Sequence, residues 1–237
     1  MVNFILPAGP DRPLSFYLAM EEYVAAAYGC GFFVWRVAPT VIIGRNQDLQ
    51  SEVNLGFCRG HGIDIVRRKS GGGCVFADKG NLMISYITPA KGVETVFREY
   101  LESLSACLRS LGVDAVYTEH NDVLAGGSKV SGNAFFVHPS ASIVHGTLLH
   151  SVDFDMLQQA ITPPAAKLAR HSVHSVRQRV VNLVDLGFAM PVEALEDALV
   201  DWFCDSSRLL APSEVTAILE LEKSYKNRIF DPLWTNS

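Results

Sequence analysis

The feature that most constrains the fold is a run of short apolar segments, separated by glycine or polar turns, in the middle of the chain. The segments cover residues 115–118, 122–125, 129–137 and 142–150. Turns of so few residues join antiparallel strands, because a parallel connection needs a crossover of about a dozen residues or more. This region therefore predicts consecutive antiparallel strands of one sheet.

The rest of the chain adds helices and further strands. The strongest helix is predicted over residues 93–111, where apolar side chains recur at a spacing of three and four and Gly112 follows. Weaker helical patterns cover residues 15–28, 51–59, 191–203 and 213–225, with Ser15 expected to cap the first. Aromatic or β-branched runs predict strands at 32–37, 40–43, 63–67 and 82–88. The sum is an α+β fold with a mixed, largely antiparallel sheet covered by helices.

Composition excludes several classes of protein. Hydrophobic residues make up 49% and charged residues 19% of the chain, so it is globular and not intrinsically disordered. The formal net charge of −5 argues against a nucleic-acid binder, which is usually basic. No apolar run approaches the ~20 residues that span a bilayer, and residues 1–13 lack the apolar core of a signal peptide. We therefore expect a cytoplasmic protein without membrane or nucleic-acid partners.

Common sequence motifs are absent. The five cysteines include no C-x-x-C pair, which argues against a disulfide framework and a structural zinc site. Residues 126–129 lack the glycine spacing of a Walker A loop, and there is no G-x-G-x-x-G or G-x-S-x-G pattern. A dinucleotide site and a serine hydrolase elbow therefore have no support.

The segment of residues 67–76 is unusual because three cationic residues run directly into three glycines. It consists of Arg67, Arg68, Lys69, Ser70, Gly71, Gly72, Gly73, Cys74, Val75 and Phe76. Glycines let backbone N–H groups approach an anion closely, and the cations add long-range attraction. The segment therefore fits a site for an anionic small molecule. A flexible glycine hairpin with solvated charges fits the same residues equally well.

A second segment places a lysine just after a glycine turn. Lys129 follows Gly126 and Gly127, begins a predicted strand and precedes the small residues Ser131 and Gly132. If its side chain points inward, Lys129 supplies a cation beside a groove with little side-chain bulk. The alternative, a solvated lysine on a hairpin, is commoner for an isolated lysine.

Together these segments resemble the lipoate–protein ligase A family of the biotin/lipoate ligase superfamily. The resemblance is sharpest over residues 67–76, and further matched segments cover residues 18–22, 39–47, 121–122, 129–134, 145–149 and 179–183. Several motifs in order are far more specific than any one alone. The resemblance implies the catalytic-domain fold of biotin/lipoate ligases, as a single domain over residues 1–237 with no C-terminal accessory domain.

The resemblance also implies a reaction. Lipoate and ATP, with Mg²⁺, would give lipoyl-AMP and pyrophosphate, and an acceptor lysine would then take the lipoyl group while AMP leaves. The implied acceptors are lipoyl domains of 2-oxo-acid dehydrogenase complexes and the H protein of glycine cleavage. Short members of the family either act with a separate accessory protein or carry out only the transfer step.

Residue roles carry over by position from the family pattern. Lys129 matches the catalytic lysine that contacts the lipoyl carbonyl and the α-phosphate, and Arg68 matches the arginine that meets the nucleotide and the carboxylate. Asp122 is expected to hold phosphate or a metal ion. The other ATP-binding or lipoyl-AMP-binding positions are Ser70, Gly71, Gly72, Gly73, Cys74, Val75, Phe76, Asn81 and Asn121. The lipoyl-binding positions are Ser131, Gly132, His145 and Gly146, and the apolar slot is expected to include Val41, Ile43 and Val75.

Two positions depart from the family pattern. Cys74 occupies a position that is commonly alanine, where a thiol of similar size is expected to act as inert packing. Lys69 adds a charge where a small hydroxyl residue is frequent.

Other functions on the same fold stay open. An octanoyltransferase would need a nucleophilic cysteine near the lysine strand or beyond His145, yet no cysteine lies between Lys129 and Cys204. Only Cys74 is near the expected site. A non-catalytic module would keep the fold to hold lipoyl-AMP or an acceptor domain. Biotin ligation fits the lysine and histidine segments less well.

Overall fold

The computed structural model describes residues 1–89, 92–119, 121–162 and 180–226. Its helices are α1 (Leu14–Tyr28), α2 (Leu49–Glu52), α3 (Leu55–Gly60), α4 (Val93–Ser110), α5 (Phe154–Ala160), α6 (Val192–Phe203) and α7 (Pro212–Lys226), and a 3₁₀ turn covers Val184–Leu186. Its strands are β1 (Val2–Ile5), β2 (Gly31–Trp35), β3 (Thr40–Ile43), β4 (Asp64–Arg67), β5 (Val75–Ala77), β6 (Asn81–Pro89), β7 (Ala115–Tyr117), β8 (Asp122–Ala125), β9 (Ser128–His138), β10 (Ala141–Leu149) and β11 (Ser206–Leu209).

The strands form one large and one small sheet. The larger has eight strands in the order β11-β1-β2-β6-β10-β9-β8-β7, and the smaller has three in the order β4-β3-β5. The pairs β11–β1, β1–β2 and β3–β4 are parallel, and the other described pairs are antiparallel. This confirms the predicted α+β fold with a mixed, largely antiparallel sheet.

The larger sheet carries a helical layer on each face. Phe32 of β2 packs with buried residues of α4 and α6, whereas its neighbour Phe33 packs with α1 and α7. Adjacent residues of a strand point to opposite faces, so alternation along β2, β6 and β10 builds both layers. The apolar residues of α4 recur with the helical period, so they lie on one side of the helix and pack against the sheet in the layer formed by α4 and α6.

A third apolar cluster holds the smaller sheet against the short helices. Val41 and Ile43 of β3 pack in this cluster with Phe154 and Leu157 of α5. Ile42, between them, belongs to the cluster formed by α1 and the larger sheet. Strand β3 therefore contributes to two cores at once.

The start of α1 differs from the prediction. The helix begins at Leu14 with Pro13 at the N-cap, and Ser15 does not cap it. The Ser15 hydroxyl instead donates a hydrogen bond to Glu222 of α7 at 2.6 Å. The hydroxyl that was predicted to cap α1 therefore bonds to a residue that is distant along the chain.

The predicted helix over residues 51–59 is two short helices. Asp48 caps α2, and the Asn54 side chain caps α3 by accepting a hydrogen bond from the Phe57 N–H at 3.0 Å. Strands β1, β5 and β11 have no counterpart among the predicted strands. Strand β5 is only three residues long, and all four residues of β11 are exposed, so neither carries a hydrophobic period.

Replacing Leu104 with alanine tests the assignment of the α4 core. Leu104 is 0% exposed, so Leu104→Ala leaves a cavity and is expected to lower the free energy of unfolding by about 2–5 kcal/mol. Leu221→Ala on α7, where the leucine is 38% exposed, is the matched control, with a change of roughly 0.5 kcal/mol or less. Urea denaturation measures both, and equal losses would contradict the assignment.

Candidate active site

A cavity of about 550 Å³ is lined by residues of both sheets and of α1. One wall is the glycine segment between β4 and β5, and the facing wall is formed by β9 and β10. Small-molecule sites have volumes of about 300–1,000 Å³, so the cavity is of the right size for one ligand.

The glycine wall is held in place by Arg68. Its guanidinium donates hydrogen bonds to the Gly71 carbonyl at 3.1 and 2.7 Å and to the Gly73 carbonyl at 2.8 Å. A further bond runs to the Ile42 carbonyl at 3.4 Å. Burial lowers the pKa of Arg68 to about 10, because the cation has lost its water. The carbonyls of the loop accept the hydrogen bonds that water would otherwise accept, and these bonds hold the carbonyls in place.

Fixed carbonyls also fix the N–H groups of the loop. The described peptide bonds are all trans, so the N–H of each peptide points opposite to its C=O. The N–H groups of Gly72 and Cys74 therefore point away from the Arg68 guanidinium. Both residues line the cavity. Backbone N–H groups of a turn can together bind an anion, which makes these two N–H groups candidate anion donors.

Two glycines allow the loop to fold back on β3. Gly72 has a φ of +94°, which residues with a side chain rarely adopt. A Cβ on Gly44 would lie 2.2 Å from the Gly72 carbonyl oxygen, so the two backbones can approach only without it. Arg67 holds the other side of this turn, because its Nη1 donates to the carbonyls of Gly44 at 3.1 Å and Gln47 at 2.8 Å.

The facing wall places Lys129 through a β-bulge. Val123 pairs with Ser131 and Leu124 pairs with Lys129, so Val130 is the extra residue. A Cβ on Gly132 would lie 2.4 Å from the Lys129 Nζ, which shows that the lysine side chain crosses the bare backbone of Gly132. In a regular strand these two positions would lie on opposite faces. The bulge brings them together.

The charge on Lys129 has a partner. Its Nζ lies 2.6 Å from Oδ1 of Asp122, and the two side chains are 24% and 19% exposed. Both residues line the cavity. Lys129 thus points into the cavity, and of the two orientations that the sequence allowed, the solvated lysine on a hairpin does not occur.

His145 of β10 completes the polar lining. Its Nδ1 lies 2.9 Å from Oε2 of Glu21, and because a carboxylate only accepts, Nδ1 carries the hydrogen. Its Nε2 lies 2.6 Å from the Ser70 hydroxyl. Serine, histidine and carboxylate stand here in the order of a hydrolase triad, but Ser70 is 2% exposed and does not line the cavity. Ser70 and Glu21 therefore orient the imidazole.

The network continues behind His145 to an aromatic residue of the lining. The Ser85 hydroxyl donates to Oε1 of Glu21 at 2.7 Å, and the Trp35 indole N–H donates to the Ser85 hydroxyl at 2.9 Å. Tyr17 stacks on the Trp35 ring at 4.4 Å. Every polar atom of this chain of contacts is satisfied, which makes the end of the cavity rigid.

The remaining lining beside this network is apolar. The side chains come from α1, β2, β3 and β6, and they are Leu14, Leu18, Trp35, Ile42 and Met83. All five belong to the core cluster shared by α1 and the larger sheet. The cavity thus has an apolar part built into the protein core and a polar part at Lys129 and the glycine wall.

The segment after residue 180 braces the lysine strand. The Val181 N–H donates to the Lys129 carbonyl at 3.0 Å. The Asn182 side chain accepts from the Val152 N–H at 2.9 Å and donates to the Val152 carbonyl at 3.0 Å. These contacts give residues 180–183 of the matched segment a structural role, whereas Arg179 lies outside the described residues.

Most of the predicted site residues meet at this cavity. Those that line it are Arg68, Gly72, Gly73, Cys74, Val75, Phe76, Asn121, Asp122, Lys129, Gly132, His145 and Gly146. The side chain of Asn121 also donates to the Asn133 carbonyl of β9 at 2.7 Å, which fixes the loop before β8. The glycine segment and the lysine strand are thus parts of one site.

The prediction that Val41 lines the apolar slot is not met by the structure. Val41 and Ile43 are 0% exposed and pack in the cluster of the smaller sheet. Side chains alternate along a strand, so the residue between them, Ile42, lines the cavity instead. The strand at residues 40–43 is predicted correctly, but the face that was expected to line the cavity is the opposite one.

Four other predicted residues do not line the cavity: Ser70, Gly71, Asn81 and Ser131. Ser131 of β9 is 0% exposed, and its hydroxyl accepts a hydrogen bond from the Asn133 side-chain N–H at 3.2 Å. The hydroxyl therefore bonds within its own strand. Asn81 is also 0% exposed, and both polar atoms of its side chain lack a hydrogen-bond partner. The structure therefore does not place these four residues in contact with the cavity.

The residues that close the apolar end of the cavity are not among the predicted site residues. Leu14, Leu18, Trp35 and Met83 read as ordinary core residues, and in the fold they are core residues that also line the cavity. Glu21 carried a usable signal, because a carboxylate on a helix that is apolar on most sides must find a buried partner.

Within the described ranges, no three His, Cys, Asp or Glu residues are grouped so as to hold a metal ion. The part of the chain that the structure describes also contains no helix that combines the length and apolar character of a membrane span.

Changing Arg68 to lysine tests how the glycine wall is held. One ammonium cannot reproduce the fork of bonds to the loop carbonyls, so Arg68→Lys is expected to lower the free energy of unfolding by about 2–3 kcal/mol. The matched control is Arg45→Lys, at an exposed arginine of the neighbouring turn, with little change. Urea denaturation measures both variants. A wild-type value for Arg68→Lys would show that the loop does not depend on the guanidinium.

Known proteins share this sequence pattern. The chain matches the family model of the lipoyl protein ligase A/B catalytic domain over residues 13–204. It is 41% identical over 170 residues to lipoate–protein ligase 1 of Staphylococcus aureus, an overlap of 70% of this chain and 52% of that protein. The chain spans 44% to 62% of the lengths of five curated relatives that it matches.

Solved structures share the fold. A bi-partite lipoate protein ligase from Thermoplasma acidophilum, described with its E2 lipoyl domain, has a TM-score of 0.82 at 26% identity, with 99% of this chain and 96% of that chain covered. A lipoate–protein ligase A bound with ATP has a TM-score of 0.81 at 24% identity, with 99% and 98% covered, which establishes a common fold. This chain therefore belongs to the lipoyl protein ligase A/B catalytic-domain family.

Proposed function

We propose that this protein activates lipoate with ATP to lipoyl-AMP and transfers the lipoyl group to a lysine of an acceptor protein. One observation carries the proposal: the Lys129 ammonium and the backbone of residues 72–74 line the same cavity, which continues into an apolar slot. A ligand with an aliphatic tail, a carboxyl group and a phosphate would meet complementary groups along its length.

Activation requires charge stabilisation at phosphorus. A carboxylate oxygen of lipoate attacks the α-phosphorus of ATP, and the bond from that phosphorus to the pyrophosphate oxygen breaks. Positioned cations and N–H groups stabilise the charge on the phosphate oxygens. We assign these roles to the Lys129 ammonium and to the N–H groups of Gly72 and Cys74.

The ion pair with Asp122 sets the direction of the lysine. It holds the ammonium over Gly132 at 2.6 Å from the carboxylate. An ammonium has three hydrogens, and Asp122 accepts one, which leaves two for a carboxyl oxygen and an α-phosphate oxygen. As a compact point charge, Lys129 can follow both oxygens while the bonds rearrange.

Arg68 acts through the loop in this proposal. The resemblance to the family assigns Arg68 to the nucleotide and the carboxylate, and the residue does line the cavity. However, its guanidinium is bonded to the carbonyls of Gly71, Gly73 and Ile42. Its contribution is therefore to fix the direction of the loop N–H groups, with its charge adding to the field at the phosphates.

Transfer uses the same groups. The amine of the acceptor lysine attacks the lipoyl carbonyl carbon, the bond from that carbon to the AMP oxygen breaks, and a proton leaves the new amide nitrogen. Lys129 stabilises the negative charge on the carbonyl oxygen. The acceptors we propose are lipoyl domains of 2-oxo-acid dehydrogenase complexes and the glycine cleavage H protein, supported by the E2 lipoyl domain described with the Thermoplasma ligase.

ATP and Mg²⁺ fit the residues present. The similar ligase that was solved with ATP supports ATP as the nucleotide. Mg²⁺ is usually bound by substrate phosphates with only one or two carboxylates, and Asp122 is a carboxylate of this cavity next to Lys129. When bound, the ion would neutralise phosphate charge.

The proposed activation step includes a second polypeptide, an accessory protein. The Thermoplasma ligase that this chain resembles over 99% of its length is described as bi-partite. We therefore propose that activation depends on a separate accessory protein, whereas transfer from preformed lipoyl-AMP does not.

Two measurements test this division between activation and transfer. Pyrophosphate release is measured with ATP, Mg²⁺ and lipoate, and it is expected only when a candidate accessory protein is present. Lipoylation of an acceptor domain from supplied lipoyl-AMP is followed by mass spectrometry, with and without the accessory protein. Lipoylation from supplied lipoyl-AMP is expected in both cases. Absence of acceptor modification from supplied lipoyl-AMP would refute the proposed function.

Changing Lys129 tests the catalytic lysine. Lys129→Met keeps the side-chain stem and removes the charge, so transfer from lipoyl-AMP should fall by about 100-fold or more with the fold retained. Gly132→Ala should reduce transfer as well, because its methyl group would occupy the position of the ammonium, 2.4 Å from Nζ. Gly60→Ala is the control, with no atom within 4 Å of the new Cβ. Transfer by Lys129→Met at the wild-type rate would remove the lysine from the mechanism.

Cys74 separates ligation from the octanoyltransferase alternative. It is the cysteine that lines the cavity among the described residues, whereas burial raises the pKa of Cys107 and Cys204 to about 11. Cys74→Ala is expected to transfer lipoyl groups within about twofold of the wild type, because we assign the small thiol a packing role and no chemical step. A stable octanoyl thioester on Cys74, formed from octanoyl carrier protein and seen by mass spectrometry, would contradict the ligase assignment.

A further inference from the structure

Lys69, the added charge of the glycine segment, does not line the cavity and pairs with α1 instead. Its Nζ lies 2.6 Å from both carboxylate oxygens of Glu22 on α1, and the two side chains are 19% and 13% exposed. The same ammonium lies 5.0 Å from the centre of the Tyr225 ring on α7. A cation at this distance over an aromatic face is attracted to it.

Tyr225 closes the group of three side chains. Its hydroxyl donates a hydrogen bond to Oε1 of Glu22, and the residue is 3% exposed. Three residues earlier on α7, Glu222 accepts the hydrogen bond from Ser15 at 2.6 Å. Helix α7 is thus attached to α1 at two positions, and one of them includes the glycine segment.

The two consecutive acids of α1 hold two different parts of the site. Glu21 orients His145, and Glu22 holds Lys69. Lys69 itself lies between Arg68, which fixes the loop carbonyls, and Ser70, which contacts His145. A displacement of Lys69 would therefore shift the residues on both sides of it, because they share one backbone.

We propose that Lys69 is a positioning residue: its ion pair with Glu22, backed by Tyr225 of the C-terminal helix, holds the glycine wall at the distance from Lys129 that ATP requires. The inference rests on the proposed function. Lys69 acts through the loop and does not touch the substrate. Because the ion pair is mostly buried, water and salt screen it less than an exposed pair.

The test compares ATP dependence and stability in the same variants. Lys69→Met keeps the aliphatic stem of the side chain but cannot pair with Glu22. It is expected to raise the KM for ATP about tenfold, which corresponds to the loss of one charge-assisted hydrogen bond. The kcat is expected to stay within about twofold of the wild-type value. Lys69→Arg should restore the KM. Tyr225→Phe keeps the ring and removes the hydroxyl, and should raise the KM by about threefold, corresponding to a weaker bond.

Lys223→Met is the matched control, because this lysine lies on the same helix in an exposed pair with Glu220. Its KM for ATP should equal that of the wild type. Pyrophosphate release is the readout, with the accessory protein present, and thermal denaturation follows the fold.

The outcomes separate the two proposals. A wild-type protein that releases no pyrophosphate and modifies no acceptor refutes the proposed function. An active wild type with an unchanged KM in Lys69→Met and Tyr225→Phe overturns the inference. So does a lowered melting temperature with an unchanged KM, because that result assigns the cluster to stability alone. If Lys69→Met does not fold, the KM of Tyr225→Phe decides.

Discussion

The site depends on one buried cation, the guanidinium of Arg68. A charge removed from water is costly unless acceptors surround it, and the acceptors here are carbonyls of the glycine segment. The loop therefore wraps around the guanidinium, and the N–H groups of Gly72 and Cys74 point away from it. The same residues without this contact would form the flexible glycine hairpin that the sequence also allowed.

The facing wall obeys a complementary constraint, which is the absence of side chains. Gly132 leaves room for the Lys129 ammonium, and a Cβ on Gly146 would collide with Asn133 at 2.0 Å. Gly44 plays the same part on the other wall, where it admits the Gly72 carbonyl. Gly132 and Gly146 line the cavity, so its wall there is bare backbone, and its apolar end is the protein core itself.

Helix α1 connects these walls to the rest of the molecule. Its apolar residues line the slot, Glu21 reaches the strand that carries His145, and Glu22 reaches the glycine segment. None of these contacts is local, so a pattern within the helix shows only that its carboxylates need partners. Which partner each carboxylate finds depends on how α1 packs against the sheets and against α7.

Periodicity, glycine turns and ordered motifs are properties of neighbouring residues, so they were enough to predict the α+β class, the antiparallel order of β8, β9 and β10, and the two segments that form the polar walls. Three features required the folded chain: Lys129 shares a face with Gly132, Ile42 and not Val41 lines the slot, and the Ser15 hydroxyl bonds to Glu222. These outcomes follow from a strand bulge, from the side of β3 that each core covers, and from partners distant along the chain.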